Sequence, residues 1–189
     1  MSCAISRGLS KICNDSKGGI SKVYLFPYVK YNRSSIKVTN LVLNEFPTTQ
    51  IFEFSAVLNS NLDQKMTDDD GGKYYTQSIS LQFQGIKDKF LFQNLLKKDY
   101  RLIIKDNNGN LRLLGAYNGL ECESLDVDAG SSKNSFNGLT VSFSGKERNE
   151  ALFIEDLEAA GFDLNLNYLL LQNDSYLLLE DSTKIELQA

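Results

Sequence analysis

The chain has 189 residues, 42% of them hydrophobic and 23% charged, which predicts a soluble globular fold with a core of its own. It contains no histidine, so Ser-His-Asp and Cys-His catalytic sites are excluded and the commonest metal ligand is missing. Its net charge of -4 disfavours a protein that holds nucleic acid by neutralising phosphates.

The N-terminal 19 residues are rich in Gly, Ser and Asn around two cysteines, and we expect an arm with little structure of its own. Three runs of β-forming residues follow, at 20–26, 36–43 and 51–58. Residues 59–73, NSNLDQKMTDDDGGK, show no periodicity, so a long hairpin loop with an acidic tip is predicted there.

The next segment alternates like a strand that is buried on one side. Ile79, Leu81 and Phe83 are predicted to face the core, and the Ser, Thr and Gln residues between them to face water. A short helix is then predicted from an N-cap at Asp88 to Lys97-Lys98, since Leu91, Phe92, Leu95 and Leu96 form one apolar stripe.

The block 101–145 shows the fold class most clearly. Asp106-Asn107-Asn108-Gly109 separates two apolar runs, which predicts a hairpin with a type I′ turn. Residues 139–145, LTVSFSG, alternate strictly and predict a half-buried antiparallel strand.

The C-terminal third changes pattern. Residues 149–160 are predicted to form a short helix that ends at Gly161. A repeat of YLLL, beginning at Tyr168 and again at Tyr176, predicts a small hairpin with 184–188 as a third strand. The expected organisation is an N-terminal arm (1–19), a β domain (20–155) and an appendage (156–189).

The three cysteines indicate the redox state of the compartment in which the protein resides. Cys3, Cys13 and Cys122 are odd in number and irregularly spaced, unlike a secreted disulfide framework or a zinc site. We therefore expect thiols in a reducing compartment, with a Cys3–Cys13 pairing as the alternative. No signal peptide is recognised, and no apolar run approaches the roughly 20 residues of a membrane span, so no membrane anchor is expected.

No motif predicts an enzyme, a cofactor or a metal site. The acidic run Asp68-Asp69-Asp70 precedes Gly71-Gly72 but lacks the ligand spacing of an EF-hand, so a solvated tip is the preferred interpretation. The glycine pairs lack the Lys-Ser/Thr of a phosphate-binding loop. Basic residues are scattered along the sequence, which disfavours an aromatic-basic platform for nucleic acid.

The order of these motifs resembles that of tail-tube-like structural proteins of tailed phages that infect Bacteroidetes-type hosts. The similar stretches are the start, CAISRG…KICNDSKGGISKVYLFPY, then KFLFQNLLKKDYRLIIKDNNGNLRLLGAYNGLE, and finally FNGLTVSFSGKERNEALFI. They cover about residues 1–155. The YLLL repeat lies outside the similar part.

The resemblance implies a mainly β protein, an antiparallel β-sandwich or barrel with one flanking α-helix. It also implies a virion role: copies form a ring, commonly a hexamer, and rings stack into a tail tube that conducts phage DNA non-specifically during ejection. Other tail and neck proteins would be further partners, and the location would be the virion tail, assembled in the host cytoplasm. The subunit-interface residues expected on this basis are Cys3, Met66, Asp68, Asp69, Asp70, Tyr74, Tyr75, Tyr168 and Tyr176.

Two alternatives remain open from the sequence. A neck, connector or baseplate ring subunit would have the same fold in another part of the virion. A monomeric β-sandwich that binds a glycan would use its many tyrosines, since the chain contains 9 Tyr and 11 Phe.

Overall fold

The computed structural model describes residues 18–54, 57–69, 72–84, 95–130 and 135–164, and three further strands at 169–170, 176–179 and 185–187. These residues are mainly β-strand, as the sequence predicts. In chain order, strands β1 to β15 are Ile20–Pro27, Lys37–Thr39, Val42–Glu45, Thr49–Phe54, Val57–Asp69, Gly72–Gln84, Tyr100–Asp106, Leu111–Leu114, Glu121–Asp128, Gly138–Glu147, Leu152–Ile154, Phe162–Leu164, Leu169–Leu170, Tyr176–Leu179 and Ile185–Leu187.

The strands form two large sheets and one small one. The first has eight strands in the order β12-β4-β1-β7-β8-β11-β3-β2, the second has the order β5-β6-β10-β9, and the third β13-β14-β15. The pairs β11–β3 and β12–β4 are parallel, so the first sheet is mixed rather than purely antiparallel as predicted. In the part of the chain that the structure describes, no sheet closes into a barrel.

The first sheet is apolar on both faces. One face shares a buried cluster with the second sheet, in which Val23 and Leu102 pack with Leu81 and Val141. The other face holds a second cluster, built around Phe26 and covered by residues of loops and short strands. Central strands β1 and β7 therefore contain consecutive buried residues instead of an alternation, as expected for strands covered on both sides.

Several predicted elements are confirmed. The runs 20–26 and 139–145 are strands, and Ile79, Leu81 and Phe83 are buried while the polar residues between them are half-exposed. The repeat at the C-terminal end forms the predicted hairpin with a third strand. The run 36–43 is instead a hairpin of its own, because Asn40 and Leu41 have positive φ and reverse the chain.

The hairpin at 106–109 is confirmed, but its turn is not type I′. Of Asp106 to Gly109 only Gly109 has a positive φ, +89°. The Asp106 carboxylate accepts hydrogen bonds from the backbone N–H groups of Asn108 and Asn110 and from the Asn110 side-chain amide. Burial alone would raise the pKa of Asp106, but the side-chain bond and then the two backbone bonds hold it below the ordinary value. A side-chain acceptor at the start of the turn thus selects a type I geometry followed by a glycine bulge.

The predicted loop at 59–73 is wrong. Strands β5 and β6 pair from Val57 and Phe83 out to Asp69 and Gly72, as one hairpin with 13 residues in each strand. Strand β10 follows β6 only as far as the pair Glu147 and Tyr75, so the end of the hairpin extends past the rest of the sheet. Because that end covers no core, it needs no apolar alternation, and the sequence pattern of a buried strand is missing.

Of the two predicted helices, one is wrong and the other lies mostly outside the described residues. The segment 149–160 contains strand β11, in which Leu152 and Ile154 are buried between neighbours in the sheet, and not a helix. Gly161 follows a turn and has φ +98°. Most of the helix predicted from Asp88 lies at 85–94, outside the described residues; Leu95 is buried in the core, and 96–98 form a turn.

Candidate functional site

A basic pocket lined by tyrosines lies where the segment after β1 meets the start of β7 and the end of β10. It consists of two cavities, of about 270 and 340 Å³, which share Arg33 and Tyr117. The first is lined by Tyr28, Lys30, Tyr31, Arg33, Ile36, Arg101, Tyr117 and Asn118, and the second adds Arg148 and Asn149. We call this site the basic pocket.

Arg101 forms the floor of the basic pocket. It is only 1% exposed, and its guanidinium donates from Nε to the Ala116 carbonyl at 3.1 Å and from Nη2 to the Val29 carbonyl at 2.9 Å. Its Cζ lies 4.4 Å from the ring centroid of Tyr28 and 5.1 Å from that of Tyr31. Burial lowers the pKa of Arg101, and the two nearby tyrosines and Glu147 oppose that effect.

Tyr28 ties the segment after β1 to the loop that follows β8. Its backbone N–H donates to the Asp99 carbonyl and its hydroxyl donates to the Tyr117 carbonyl, both at 2.9 Å. Gly119 makes this approach possible, since a Cβ at that position would lie 2.9 Å from the Tyr28 ring. The walls of the pocket are therefore held by hydrogen bonds and close packing before any ligand binds.

Glu147 is the buried acid beside the pocket. It is 2% exposed, and its Oε1 accepts hydrogen bonds from the backbone N–H groups of Tyr117 at 3.0 Å and Asn118 at 2.7 Å. Burial raises the pKa of Glu147, although these hydrogen bonds and the charge of Arg101 favour the carboxylate. The Arg101 Nη1 and Glu147 Oε2 atoms are buried without a hydrogen-bond partner among the described residues.

Replacing Glu147 tests this arrangement. Because the pKa is raised in the folded protein, the stability that this group contributes is present at low pH and is lost as pH rises through the folded-state pKa. Glu147→Gln keeps the Oε1 acceptor and removes the charge, so we expect equal or greater stability at pH 7 and a flatter pH dependence. Chemical unfolding between pH 4 and pH 8 measures both.

Glu147→Ala is the matched comparison. It leaves two buried N–H groups without an acceptor, so its free energy of unfolding should lie about 2–3 kcal/mol below that of Glu147→Gln at every pH, since neither variant titrates at this position. If the Gln and Ala variants were equally destabilised, the two hydrogen bonds would not be what Glu147 contributes.

The three cations at the rim of the pocket are exposed. Lys30, Arg33 and Arg148 have no carboxylate within salt-bridge distance in the described part of the chain, where the ion pairs join Lys22 to Glu53, Lys37 to Glu45 and Lys73 to Asp68. Arg33 lies over the ring of Tyr117, with its Cζ 5.9 Å from the centroid. The rim therefore presents positive charge and aromatic rings to anything that enters.

The predicted interface residues lie apart from this pocket or outside the described residues. Met66, Asp68, Tyr74 and Tyr75 are all near the end of the β5–β6 hairpin, where Met66 is 54% exposed. Asp69 ends strand β5, and Asp70, Cys3 and Tyr168 lie outside the described residues. Tyr176 begins strand β14 of the small sheet.

Sequence reasoning missed the basic pocket because its residues come from four distant segments. The basic residues were interpreted as scattered, yet the fold brings Arg33, Arg101 and Arg148 to the same pair of cavities. The run Tyr28-Val-Lys-Tyr-Asn-Arg33 is the signal that could have found it, since it combines two tyrosines with two cations within six residues.

A separate cavity, of about 390 Å³, lies apart from the basic pocket and is mostly apolar. It is lined by Leu25, Phe26, Pro27, Phe52, Glu53, Phe54, Leu95 and Tyr100.

Among the described residues, no group of three or more acids and cysteines could hold a metal ion. In those same residues, no helix has the length and apolar character needed to cross a membrane. Cys122 is a free thiol whose pKa is raised by burial.

Comparisons with known proteins give no match: none was found among protein-family models, curated proteins or solved structures.

Proposed function

We propose that this chain is a structural protein of a phage virion whose copies join into a ring, commonly a hexamer, and that the rings stack into a tail tube. The phage DNA would pass through the tube without sequence-specific contacts. The subunit would be a tail-tube-like β-sandwich without catalytic activity, assembled in the bacterial cytoplasm into the tail. The resemblance of residues 1–155 to such proteins supports this proposal.

The β5–β6 hairpin is the observation that carries the proposal. It extends past the end of β10, and Met66 on its inner face is 54% exposed beyond the shared core. An exposed two-stranded arm with a large apolar side chain is costly for a monomer, because a lone hairpin is marginally stable in water. Packing against another copy removes that cost.

Open sheet edges give further support. Strands β5 and β9 are the outer strands of the second sheet among those described, and Val127 on β9 is 55% exposed. Unpaired strand edges and exposed apolar residues favour association between chains. A head-to-tail contact between two different surfaces closes into a ring when the rotation between copies allows it.

The decisive test is the state of assembly of the purified full chain. We expect rings or short tubes in negative-stain images and a discrete multiple of the 21.2 kDa subunit in native mass spectrometry. A chain that stays monomeric over the accessible concentration range would contradict the proposal. A stable monomer that binds sugars on a glycan array would favour the glycan-binding alternative, for which the tyrosines of the basic pocket are the supporting observation.

A pair of variants with matched exposure tests the hairpin. Met66→Ser should raise the concentration needed for half-assembly by about tenfold, because an anchor that becomes buried in an interface is lost. Val127→Ser removes a side chain of the same exposure from the edge of β9 and serves as the comparison. Equal effects of the two would assign the association to both sites instead of to the hairpin alone.

A further inference from the structure

The basic pocket has a lining of cations without an acid among them. Of the described residues that line its two cavities, Lys30, Arg33, Arg101 and Arg148 are basic and none is acidic. The chain as a whole has 24 acids and 20 basic residues, so this local excess of positive charge does not follow from composition. Like charges in one concave site repel each other, and a bound anion would remove that cost.

Arg101 has a donor left over at the floor of the inner cavity, the one of about 270 Å³. Its Nε and Nη2 atoms share one edge of the planar guanidinium, and both donate to backbone carbonyls. Its Nη1 atom is buried without a hydrogen-bond partner, and no salt bridge among the described residues joins Arg101 to Glu147. Buried donors are nearly always paired, so Nη1 marks a place where an acceptor oxygen would be stabilised.

Two arginines converge on Tyr117 in the outer cavity, the one of about 340 Å³. Burial and then the charge of Glu147 raise the pKa of Tyr117, and the charges of Arg33 and Arg148 oppose that effect. Both guanidinium groups therefore act on the same phenol. Two such planar groups beside a hydroxyl form a donor set that suits the oxygens of a carboxylate or a phosphate.

The size and the remaining lining of the pocket indicate the kind of molecule that would carry this group. Each cavity lies near the lower end of the range for small-molecule sites, about 300–1,000 Å³. A nucleic acid would need a row of cations that follows successive phosphates, which two small concave cavities do not provide. The tyrosine rings offer apolar surface, and the amides of Asn118 and Asn149 can bond to hydroxyl groups.

We propose that the basic pocket binds an acidic sugar, a molecule of about one sugar ring that carries a carboxylate or phosphate group. Its oxyanion would lie between Arg33 and Arg148, and its ring against Tyr117. An oxygen at the floor would accept from Arg101 Nη1, directly or through a bound water. The Tyr28 hydrogen bonds already hold the walls, so binding orders few side chains. This inference goes beyond the proposed ring function, since each subunit would bind its ligand whether alone or assembled.

Isothermal titration calorimetry of the full-length chain at constant ionic strength tests the site. The probes are glucuronate, glucose 6-phosphate, glucose and inorganic phosphate. At least one of the two acidic sugars should bind about tenfold more tightly than glucose, because only the acidic sugars engage the arginines. Whichever binds more tightly shows whether the oxyanion is a carboxylate or a phosphate. Inorganic phosphate should bind about threefold or more weakly than the better acidic sugar, since it has no ring to pack on Tyr117.

A pair of variants with the same change of charge locates the binding. Arg33→Met with Arg148→Met should weaken binding of the better acidic sugar by about tenfold or more, because both oxyanion donors are lost. Lys97→Met with Lys98→Met is the control, since these two exposed lysines line neither cavity. It should change binding by no more than about twofold, as expected for distant charges screened by salt.

Three outcomes would overturn the inference. Neither acidic sugar might bind more tightly than glucose, or the arginine and lysine variants might bind alike. Inorganic phosphate might bind as tightly as the better acidic sugar, in which case the pocket holds an adventitious ion only. All three leave the ring proposal standing, because assembly is measured separately. A chain that binds an acidic sugar in this pocket and yet stays monomeric would overturn the ring and keep the site.

Discussion

Arg101→Met is expected to lower the free energy of unfolding by about 3–5 kcal/mol, although methionine fills a similar volume. The guanidinium is 1% exposed and satisfies the carbonyls of Val29 and Ala116, which methionine would leave buried without donors. Its stacking on Tyr28 and Tyr31 would be lost as well. Urea unfolding followed by far-UV circular dichroism measures the change.

The matched control is Arg33→Met at the exposed rim of the same pocket. It should change stability by no more than about 0.5 kcal/mol, because an exposed arginine without a carboxylate partner contributes little. Near-UV circular dichroism gives a second measure, since Arg101→Met should alter the environment of Tyr28 and Tyr31, whereas Arg33→Met removes only an exposed contact with the Tyr117 ring. If Arg101→Met were as stable as the wild type, other groups would be satisfying both carbonyls, and Arg101 would not hold the pocket together.

Gly161→Ala is expected to cost about 3 kcal/mol or more, and for two separate reasons. Gly161 has φ +98°, where an L-residue with a side chain is strained. A Cβ there would also lie 2.3 Å from the Phe46 carbonyl oxygen, which is backbone and cannot rotate away. Its own carbonyl accepts from Thr49, so a shift would disturb the parallel pairing of β12 with β4.

Gly109→Ala separates these two reasons. Gly109 has φ +89°, but a Cβ there would meet nothing within 4 Å. It should therefore cost only the conformational strain, about 1–2 kcal/mol. The difference between the two variants in thermal or urea unfolding gives the steric part. Equal losses would mean that the chain around Phe46 moves aside without cost.

The basic pocket connects the predictions for Arg101, Arg33 and Glu147. Arg101 and Glu147 hold its floor and wall from inside, whereas Arg33 and Arg148 stand at its rim in water. Changes that remove the hydrogen bonds of the buried pair, as in Arg101→Met and Glu147→Ala, should lower the free energy of unfolding, whereas changes to the exposed rim pair should leave it nearly unchanged. A variant set that did not divide in this way would argue against a pocket held in shape by Arg101 and Glu147.

Strands that cover a core were predictable from the sequence. Leu139, Val141 and Phe143 are buried and alternate with polar residues, because a sheet face that packs on apolar groups selects every second residue. The turn at Gly109 was also predictable in position, since the run of Asp, Asn and Gly has few other uses between two apolar strands. The type of this turn was not predictable, because two hydrogen bonds to the Asp106 side chain decide it.

The hairpin end and strand β11 could not be predicted in the same way. Thr67 and Asp68 form strand without covering a core, so the pairing with β6 and not the side chains defines their structure. Residues 149–160 contain an apolar pattern that fits a helix, and the sheet overrides it because β8 and β3 offer β11 a partner on each side.

By itself, the sequence determined a mainly β chain, the places of most core strands and the absence of histidine chemistry. The tertiary structure alone decided that the sheet is mixed, that 57–84 is one long hairpin and that Arg33, Arg101 and Arg148 share a pocket. The physical reason is the separation in sequence over which each feature acts. Alternation and turn residues depend on neighbours in the sequence. Parallel strand pairing and the clustering of charged residues depend on distant segments that meet only after folding.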